Sequence, residues 1–121
     1  MGLTVPPVGL GVTLSPPVVT VMRGEAATLT CHFNVLSKRY GVHWFRMDRP
    51  LTPSPRYVRL EKNHSSSLLI TEAAPEDSGK YYCEVTVPLK DPVRSNGTLL
   101  TVLVSMWLSS LVTDAEIITS A

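Results

Sequence analysis

At 121 residues the chain is long enough for one domain with a two-layer core and too short for two such domains. Its 11 basic and 10 acidic side chains give a formal net charge of +1, which argues against nucleic acid as a partner, because phosphate binding needs a concentrated basic surface. No apolar run approaches the roughly 18 residues of a membrane-spanning helix, so we expect membrane attachment only through segments outside this sequence.

The N-terminal part of the chain is punctuated by proline and glycine. Residues 1–11 are rich in both and predict a flexible segment. Residues 13–15 then indicate an edge strand that Pro16-Pro17 interrupts, because proline is tolerated in sheets only at edges. Val19 and Val21 resume the alternation after the prolines. We therefore predict that the edge strand passes from one sheet to the other at this point.

Two strands with a period of two follow, at residues 27–33 and 42–47. Their inward positions are Leu29, Cys31, Phe33, Val42 and Trp44. Because successive side chains of a strand point to opposite faces, His43, Phe45 and Met47 are expected to face outward.

The second half of the chain reads as a series of short strands. Residues 48–55 hold three prolines and predict a turn. A crossing loop with a single helical turn is expected at 72–77. The further strands are predicted at residues 56–60, 66–70, 81–87 and 98–104. Residues 105–121 are expected to be a stalk, a linker or a vector-derived tail. A helix is the alternative, since Trp107, Leu111, Ala115 and Ile118 would share one of its faces, but a lone helix of this length is marginal in water and irregular structure is preferred.

One motif organises this second half, Asp77-x-Gly79-x-Tyr81-x-Cys83. Gly79 permits turn geometry, and Tyr81, two residues before the cysteine, has the position of a tyrosine corner. Asp77 is placed to pair with a basic residue at the foot of the fold. A tryptophan also lies between the only two cysteines, Cys31 and Cys83. The pattern as a whole predicts an immunoglobulin-type sandwich.

Five stretches carry a closer resemblance. They are Arg-Gly-Glu-Ala-Ala-Thr-Leu-Thr-Cys at 23–31, Trp-Phe-Arg at 44–46, Ser-Pro-Arg-Tyr-Val at 54–58, Pro-Glu-Asp-Ser-Gly-Lys-Tyr-Tyr-Cys at 75–83 and Gly-Thr-Leu-Leu-Thr-Val-Leu at 97–103. Through them residues 12–104 resemble the immunoglobulin V-type domains of antigen receptors. The resemblance implies an all-β, immunoglobulin-like Greek-key sandwich in an oxidising compartment, with a disulfide bond between Cys31 and Cys83. Two buried free thiols are the alternative.

Three departures refine this resemblance. The segment between Trp44 and Cys83 is shorter than in antigen-receptor V domains, and the missing length falls between Arg56 and Leu68. This predicts a V-type domain with a shortened C′–D region, in which strand C″ is absent or vestigial. Met47 stands where the pairing face usually carries glutamine, and Asn96 interrupts the joining-type glycine motif. These departures favour a germline-encoded, non-rearranging immune receptor over an antibody or T-cell-receptor chain.

V-type domains commonly bind partners through the outer face of the GFCC′ sheet, the sheet that contains the strands of Trp44 and Cys83. The resemblance implies the same surface here. On the predicted register this face carries an aromatic and thioether patch, and solvent-facing apolar patches mark interfaces. We expect a protein ligand or a second V-type domain, with a homodimer as the expected assembly. The alternatives are that loops or the N-terminal segment cover the patch, or that its side chains are scattered singly. The predicted interface residues are His43, Phe45, Met47, Tyr57, Tyr82, Glu84 and Thr86.

The loops at 34–41 and 88–95 are expected to meet at one end of the sandwich, as the hypervariable loops of antigen receptors do. Ordinary solvated loops are the alternative. The candidates for ligand contact are Lys38, Arg39, Tyr40, Lys90, Asp91 and Arg94. Two Asn-x-Ser/Thr sequons, at Asn63 and Asn96, predict glycosylation and agree with an extracellular location.

No catalytic site, metal site or cofactor is predicted. His32, His43 and His64 lie far apart in the predicted strand map, and a metal site needs three or four converging ligands. The preferred function is therefore the extracellular recognition module of an immune-type cell-surface receptor. An adhesion or spacer module in a longer chain is the alternative.

Overall fold

The structure is a computed structural model that describes residues 9–104. In that range the chain forms ten β-strands and one 3₁₀ turn, Pro75–Asp77. The strands are β1 Val12–Ser15, β2 Val18–Met22, β3 Ala27–Phe33, β4 Gly41–Arg46, β5 Arg49–Pro50, β6 Tyr57–Lys62, β7 Ser65–Ile70, β8 Gly79–Thr86, β9 Val93–Arg94 and β10 Thr98–Leu103. The predicted tail at 105–121 and most of the predicted flexible segment at 1–11 lie outside the described residues.

The strands form two sheets with the core between them. The four-stranded sheet has the order β1-β3-β7-β6, and the six-stranded sheet has the order β2-β10-β8-β4-β5 with β9 beside β8. Paired strands are antiparallel, except that β2 and β10 run parallel. The predicted all-β sandwich is confirmed.

The core is built from alternate residues of each strand, as the period of two predicts. Leu29 and Cys31 on β3 are fully buried, and Trp44 on β4 is 5% exposed. The disulfide bond between Cys31 and Cys83 is confirmed and links the two sheets. Trp44 Nε1 donates a hydrogen bond to Ser66 Oγ at 3.3 Å. This bond satisfies the one polar atom that the indole brings into the core.

The N-terminal edge changes sheets as predicted. β1 pairs with β3 in the four-stranded sheet, whereas β2 pairs with β10 in the six-stranded sheet. The change falls at Pro16-Pro17. These residues have no N–H group and so are unable to continue the ladder between β1 and β3.

Side chains from the start of β10 hold this crossing in place. Leu14 N donates a hydrogen bond to Asn96 Oδ1 at 2.9 Å, and Asn96 Nδ2 donates one to Leu14 O at 3.0 Å. The buried Thr98 hydroxyl donates to Pro16 O at 2.6 Å. The Asn96 amide therefore makes the two hydrogen bonds that a neighbouring strand would otherwise make to the N–H and C=O groups of Leu14. Both polar side chains of the second sequon take part in the fold, and glycosylation of Asn96 stays a prediction.

Replacing Asn96 with alanine is expected to lower the free energy of unfolding by about 1–2 kcal/mol, because Leu14 loses two hydrogen bonds. Urea denaturation of the non-glycosylated chain measures the change. Asn63→Ala is the matched control, since it removes the other sequon at the exposed β6–β7 turn and is expected to cost less than about 0.5 kcal/mol. Equal losses in the two variants would show that the amide bridge adds no stability.

A buried ion pair closes the foot of the sandwich. Asp77 is 1% exposed and accepts hydrogen bonds from Arg56 at 2.8 and 2.9 Å, from the Tyr57 hydroxyl at 2.6 Å and from Ala74 N at 2.8 Å. Burial raises the pKa of Asp77, but the hydrogen bonds from Arg56 and Tyr57 outweigh it and lower this pKa to about 2. The Tyr81 hydroxyl donates to Asp77 O at 2.6 Å. The predicted ion pair and the predicted tyrosine corner are therefore both present.

Tyr57 lies in the other sheet from the one predicted. The prediction placed it on the outer GFCC′ face, but Tyr57 begins β6, which pairs with β7 in the four-stranded sheet. The physical reason is Asp77, because Arg56 and Tyr57 both reach its buried carboxylate and so hold the start of β6 at the foot of that sheet. Strand C″ was predicted to be absent or vestigial because the chain is short between Arg56 and Leu68. In the described residues this segment forms β6, which leads directly into β7, and no further strand lies between them.

Candidate partner-binding surface

Strands β4 and β8 present two aromatic rings on the outer face of the six-stranded sheet. Phe45 and Tyr82 are register partners, and the period of two turns them outward while their neighbours Trp44 and Cys83 turn inward. The two rings stack with centroids 5.6 Å apart and planes 14° from parallel. The pair is therefore an ordered apolar platform rather than two isolated side chains.

Arg94 covers this platform. It lies on β9 opposite Glu84, with its guanidinium carbon 4.1 Å from the centre of the Tyr82 ring and 5.3 Å from that of Phe45. Both distances allow cation–π attraction. Beneath the guanidinium, Tyr82 is only 6% exposed. The prediction grouped Arg94 with the loop residues, and its placement was wrong, because pairing with β8 brings Arg94 onto the sheet face.

Two carboxylates hold Arg94 over the rings. Its Nη2 lies 3.4 Å from Glu84 Oε2, and its Nη1 lies 3.7 Å from Asp48 Oδ1. The Tyr82 hydroxyl donates a hydrogen bond to Asp48, and this bond raises the pKa of Tyr82. We call Phe45, Tyr82, Arg94, Asp48 and Glu84 the sheet-face cluster. Sequence reasoning missed Asp48, because no local pattern relates it to Tyr82, which lies 34 residues away.

Other predicted interface residues lie around the sheet-face cluster. His43 is exposed, and its Nε2 lies 3.5 Å from Thr86 Oγ1. Met47 follows β4 with a φ of 51° and is 64% exposed. Its side chain lies beside Gly79 and lines a cleft with Tyr57, Glu76 and Ser78 at the foot of the sandwich. Its predicted place on the outer face was therefore wrong, because the positive φ turns the chain here and ends the alternation of β4. At the β2 edge of the same face, Val18 and Leu99 are register partners and are 59% and 51% exposed. The outer face thus carries open apolar side chains beyond the cluster, as the sequence predicts.

The loops predicted at 34–41 and 88–95 meet at one end of the sandwich, as predicted. We call their residues outside the strands, 34–40 and 88–92, the loop end. A cavity of 190 Å³ lies between them and is lined in part by Lys90. Lys38 and Tyr40 line a neighbouring cleft of 560 Å³ beside Asn63 at the β6–β7 turn. The predicted contact residues exposed here are Lys38, Arg39, Tyr40, Lys90 and Asp91. Ligand contact through them, and a sugar on Asn63, stay predictions.

Comparison with known proteins identifies the family to which this fold belongs. The family model described as "Immunoglobulin domain" matches residues 11–86, which is more than half of the chain. This chain belongs to the immunoglobulin domain family. Its two packed sheets, its disulfide bond and its tyrosine corner are hallmarks of immunoglobulin-type sandwiches.

The curated relatives of this immunoglobulin domain are longer proteins. Human "Cell adhesion molecule 1" is 36% identical over 109 residues, a match that covers 81% of this chain and 23% of the relative. "Protein turtle" of Drosophila melanogaster is 30% identical over 93 residues, covering 75% and 6%. The "Advanced glycosylation end product-specific receptor" of Rattus norvegicus is 32% identical over 90 residues, covering 74% and 20%. The chain spans less than a quarter of the length of each relative.

Solved immunoglobulin structures share this fold at low sequence identity. The "M1 domain from titin" superposes with a TM-score of 0.64 at 19% identity, covering 76% of this chain and 94% of that one. "Titin kinase and its flanking domains" gives a TM-score of 0.65 at 18% identity, covering 84% and 19%. At this identity the likeness establishes the fold alone.

Two further observations concern the described part of this immunoglobulin domain. No three His, Cys, Asp or Glu side chains among residues 9–104 lie close enough together to hold a metal ion. Over the same residues no helix has the length and apolar character needed to cross a bilayer.

Proposed function

We propose that this immunoglobulin domain is an extracellular recognition module of an immune-type cell-surface receptor. It pairs face to face with a second V-type domain, in the first instance another copy of itself. The observation that carries this proposal is the stacked pair of Phe45 and Tyr82 beneath Arg94, on a sheet face that also exposes Leu99. Tyrosine, phenylalanine and arginine are residue types enriched in protein–protein interfaces.

The polar groups of the sheet-face cluster support a contact that excludes water. Arg94 is paired with Glu84 and Asp48, and the Tyr82 hydroxyl has its acceptor in Asp48. A partner that covers these groups meets charges that already lie beside opposite charges, which reduces the cost of removing them from water. Burial of the exposed Val18 and Leu99 side chains on the same face contributes about 25 cal/mol per Å² of apolar surface to the complex.

The charges on this face support a partner of the same kind. Lys80 and Arg94 are basic and Asp48 and Glu84 are acidic, so the face is balanced rather than dominated by one sign. A balanced face can meet its own copy about a twofold axis, where basic residues lie opposite acidic ones. A face with one dominant sign would repel its copy.

Leu99→Asp is expected to weaken self-association of the chain at least about tenfold, a change of about 1.4 kcal/mol. Leu99 is 51% exposed on β10 and faces outward between the buried Thr98 and Leu100, so the substitution alters the proposed interface and spares the core. Sedimentation equilibrium over a range of concentrations measures the effect, and the wild type is expected to shift from monomer to dimer.

Leu60→Asp is the matched control, because Leu60 is 50% exposed on β6 in the opposite sheet. It introduces the same charge and is expected to leave the association constant unchanged. A wild-type chain that stays monomeric at the highest concentration reached, or equal weakening in both variants, would remove the self-pairing proposal.

An adhesion or spacer module of a longer chain is the second candidate. Two observations support it, since the chain covers only a small part of its relatives and one of them is named "Cell adhesion molecule 1". The full-length gene product discriminates between the candidates. Tandem immunoglobulin domains around a monomeric module favour the spacer, whereas a membrane span with a signalling tail favours the receptor.

A further inference from the structure

Two leucines project fully into solvent at the loop end. Leu36, in the loop before β4, is 92% exposed, and Leu89, in the loop after β8, is 104% exposed, as open as in an extended peptide. Leu36 and both chain neighbours of Leu89, Pro88 and Lys90, line the same 190 Å³ cavity, so the two loop tips lie side by side. Single exposed leucines are ordinary on protein surfaces, but two on adjacent tips form an apolar point of contact.

Basic side chains accompany these tips. Lys38 and Arg39 lie in the first loop and Lys90 in the second, and all three are exposed. Asp91 is the only acidic residue in the two loops. Because the whole chain has a net charge of only +1, this excess of positive charge is a local property of the loop end.

An aromatic residue completes the composition of this end. Tyr40 is 39% exposed, and its ring packs edge-on against Phe33 with centroids 5.1 Å apart. Tyrosine, with an apolar ring and a polar hydroxyl, is enriched where hydrocarbon meets water at the surface of a bilayer. Apolar tips, basic side chains and a tyrosine are together the composition of a membrane-surface anchor.

We propose that the loop end docks on an anionic lipid membrane, with the two leucine tips in the outer acyl region and the three basic side chains at the headgroup phosphates. A fluid acyl layer closes around separate projecting tips, whereas a protein partner has to offer two cavities at matched spacing. The adjacent basic residues add attraction to anionic headgroups. The loop end and the sheet-face cluster are different surfaces. The proposed membrane docking therefore does not depend on whether the chain pairs with itself.

Cosedimentation of the full, disulfide-bonded chain with lipid vesicles tests this proposal. The chain is made without glycosylation, because Asn63 flanks the loop end. On vesicles of phosphatidylcholine with about one-third phosphatidylserine we expect a partition constant on the order of 10⁴ M⁻¹, like that of one myristoyl chain. Pure phosphatidylcholine is expected to bind about tenfold more weakly. The double variant Leu36→Asp/Leu89→Asp is expected to lose at least about tenfold on the anionic vesicles.

The matched control is Val58→Asp/Leu60→Asp, which replaces two exposed apolar residues on β6 and makes the same change in net charge. It is expected to bind anionic vesicles with less than about a threefold loss. Equal losses in the two double variants would reduce the effect to general electrostatic attraction and overturn the proposal. Absence of vesicle binding by the wild type, together with loss of cell binding in the Leu36→Asp/Leu89→Asp variant, would assign the tips to a protein partner and also overturn it.

Discussion

Replacing Cys31 and Cys83 together with alanine is expected to lower the free energy of unfolding by about 4 kcal/mol. The disulfide joins residues 52 positions apart, and the cross-link restricts the unfolded chain in proportion to the logarithm of that loop length. Small domains have total stabilities of about 5–15 kcal/mol, so the variant is expected to be near its unfolding threshold at body temperature. Urea denaturation followed by circular dichroism gives the difference.

Reduction of the wild-type disulfide is the matched control, because it opens the same loop without replacing a side chain. The reduced wild type and the double alanine variant are expected to lose similar stability, and the reductant is expected to leave the variant unchanged. A double variant that unfolds at the same urea concentration as the oxidised wild type would contradict the stabilising role of this bond.

Asp77→Asn is expected to lower the free energy of unfolding at neutral pH by about 3 kcal/mol. Asparagine keeps the size of the side chain but removes the negative charge beside Arg56, whose side chain is only 31% exposed. It also offers one acceptor oxygen where the carboxylate has two, so one of the groups now bound to Asp77 is left unsatisfied. Urea denaturation at pH 7 measures the loss.

The carboxylate of Asp77 is also expected to contribute to unfolding in acid, because its protonation destabilises the folded chain. Burial raises the pKa of Asp77, yet its hydrogen bonds lower this pKa from the ordinary 3.8 to about 2. The unfolded chain therefore binds the proton more tightly, so the stabilisation is complete above about pH 4 and is lost as the pH falls towards 2. This component amounts to about 2 kcal/mol in the wild type.

Stability measured at a series of pH values between 7 and 2 separates this component from the others. Asp77→Asn is expected to lack it, and Asp91→Asn, which changes an exposed carboxylate of the loop end, is expected to keep it. An acid profile of Asp77→Asn that runs parallel to the wild-type profile would assign the acid sensitivity to other carboxylates.

The strands whose side chains alternate were the most predictable part of the fold. In β3 and β4 one face is buried, and the period of two identifies Leu29, Cys31 and Trp44 as inward from the sequence alone. The passage of the N-terminal edge from one sheet to the other was equally predictable, because Pro16-Pro17 lack the N–H groups that a continuous strand ladder needs. Both predictions rest on local chemistry, namely side-chain polarity and a missing N–H group.

The misplaced site residues were set by contacts between residues distant in sequence. Tyr57 belongs to the four-stranded sheet because its hydroxyl and the neighbouring Arg56 meet Asp77, about 20 positions further on. Arg94 belongs to the sheet face because Val93-Arg94 pairs with β8 and so continues the six-stranded sheet by two residues. A two-residue strand after a proline-containing loop has too short a period to be recognised in sequence.

In the candidate site, too, local patterns were predictable from the sequence and contacts between distant residues were not. The sequence predicted the aromatic pair Phe45 and Tyr82 correctly, because both lie on strongly patterned strands. It did not predict that Arg94 covers the pair, which turns an open apolar patch into a capped one. The V-type and antigen-receptor-like subtype stays a prediction, as does pairing through this face.

The parallel alignment of β2 with β10 has a mechanical consequence. The two strands are in register from Val18 beside Leu99 to Met22 beside Leu103. If the chain is pulled from its two ends, β2 is drawn toward its own start and β10 toward its own finish, so the tension runs lengthwise along the ladder. The bonds between the strands are then sheared together instead of being opened one after another. An edge built in this way resists a lengthwise pull better than an edge whose bonds open singly.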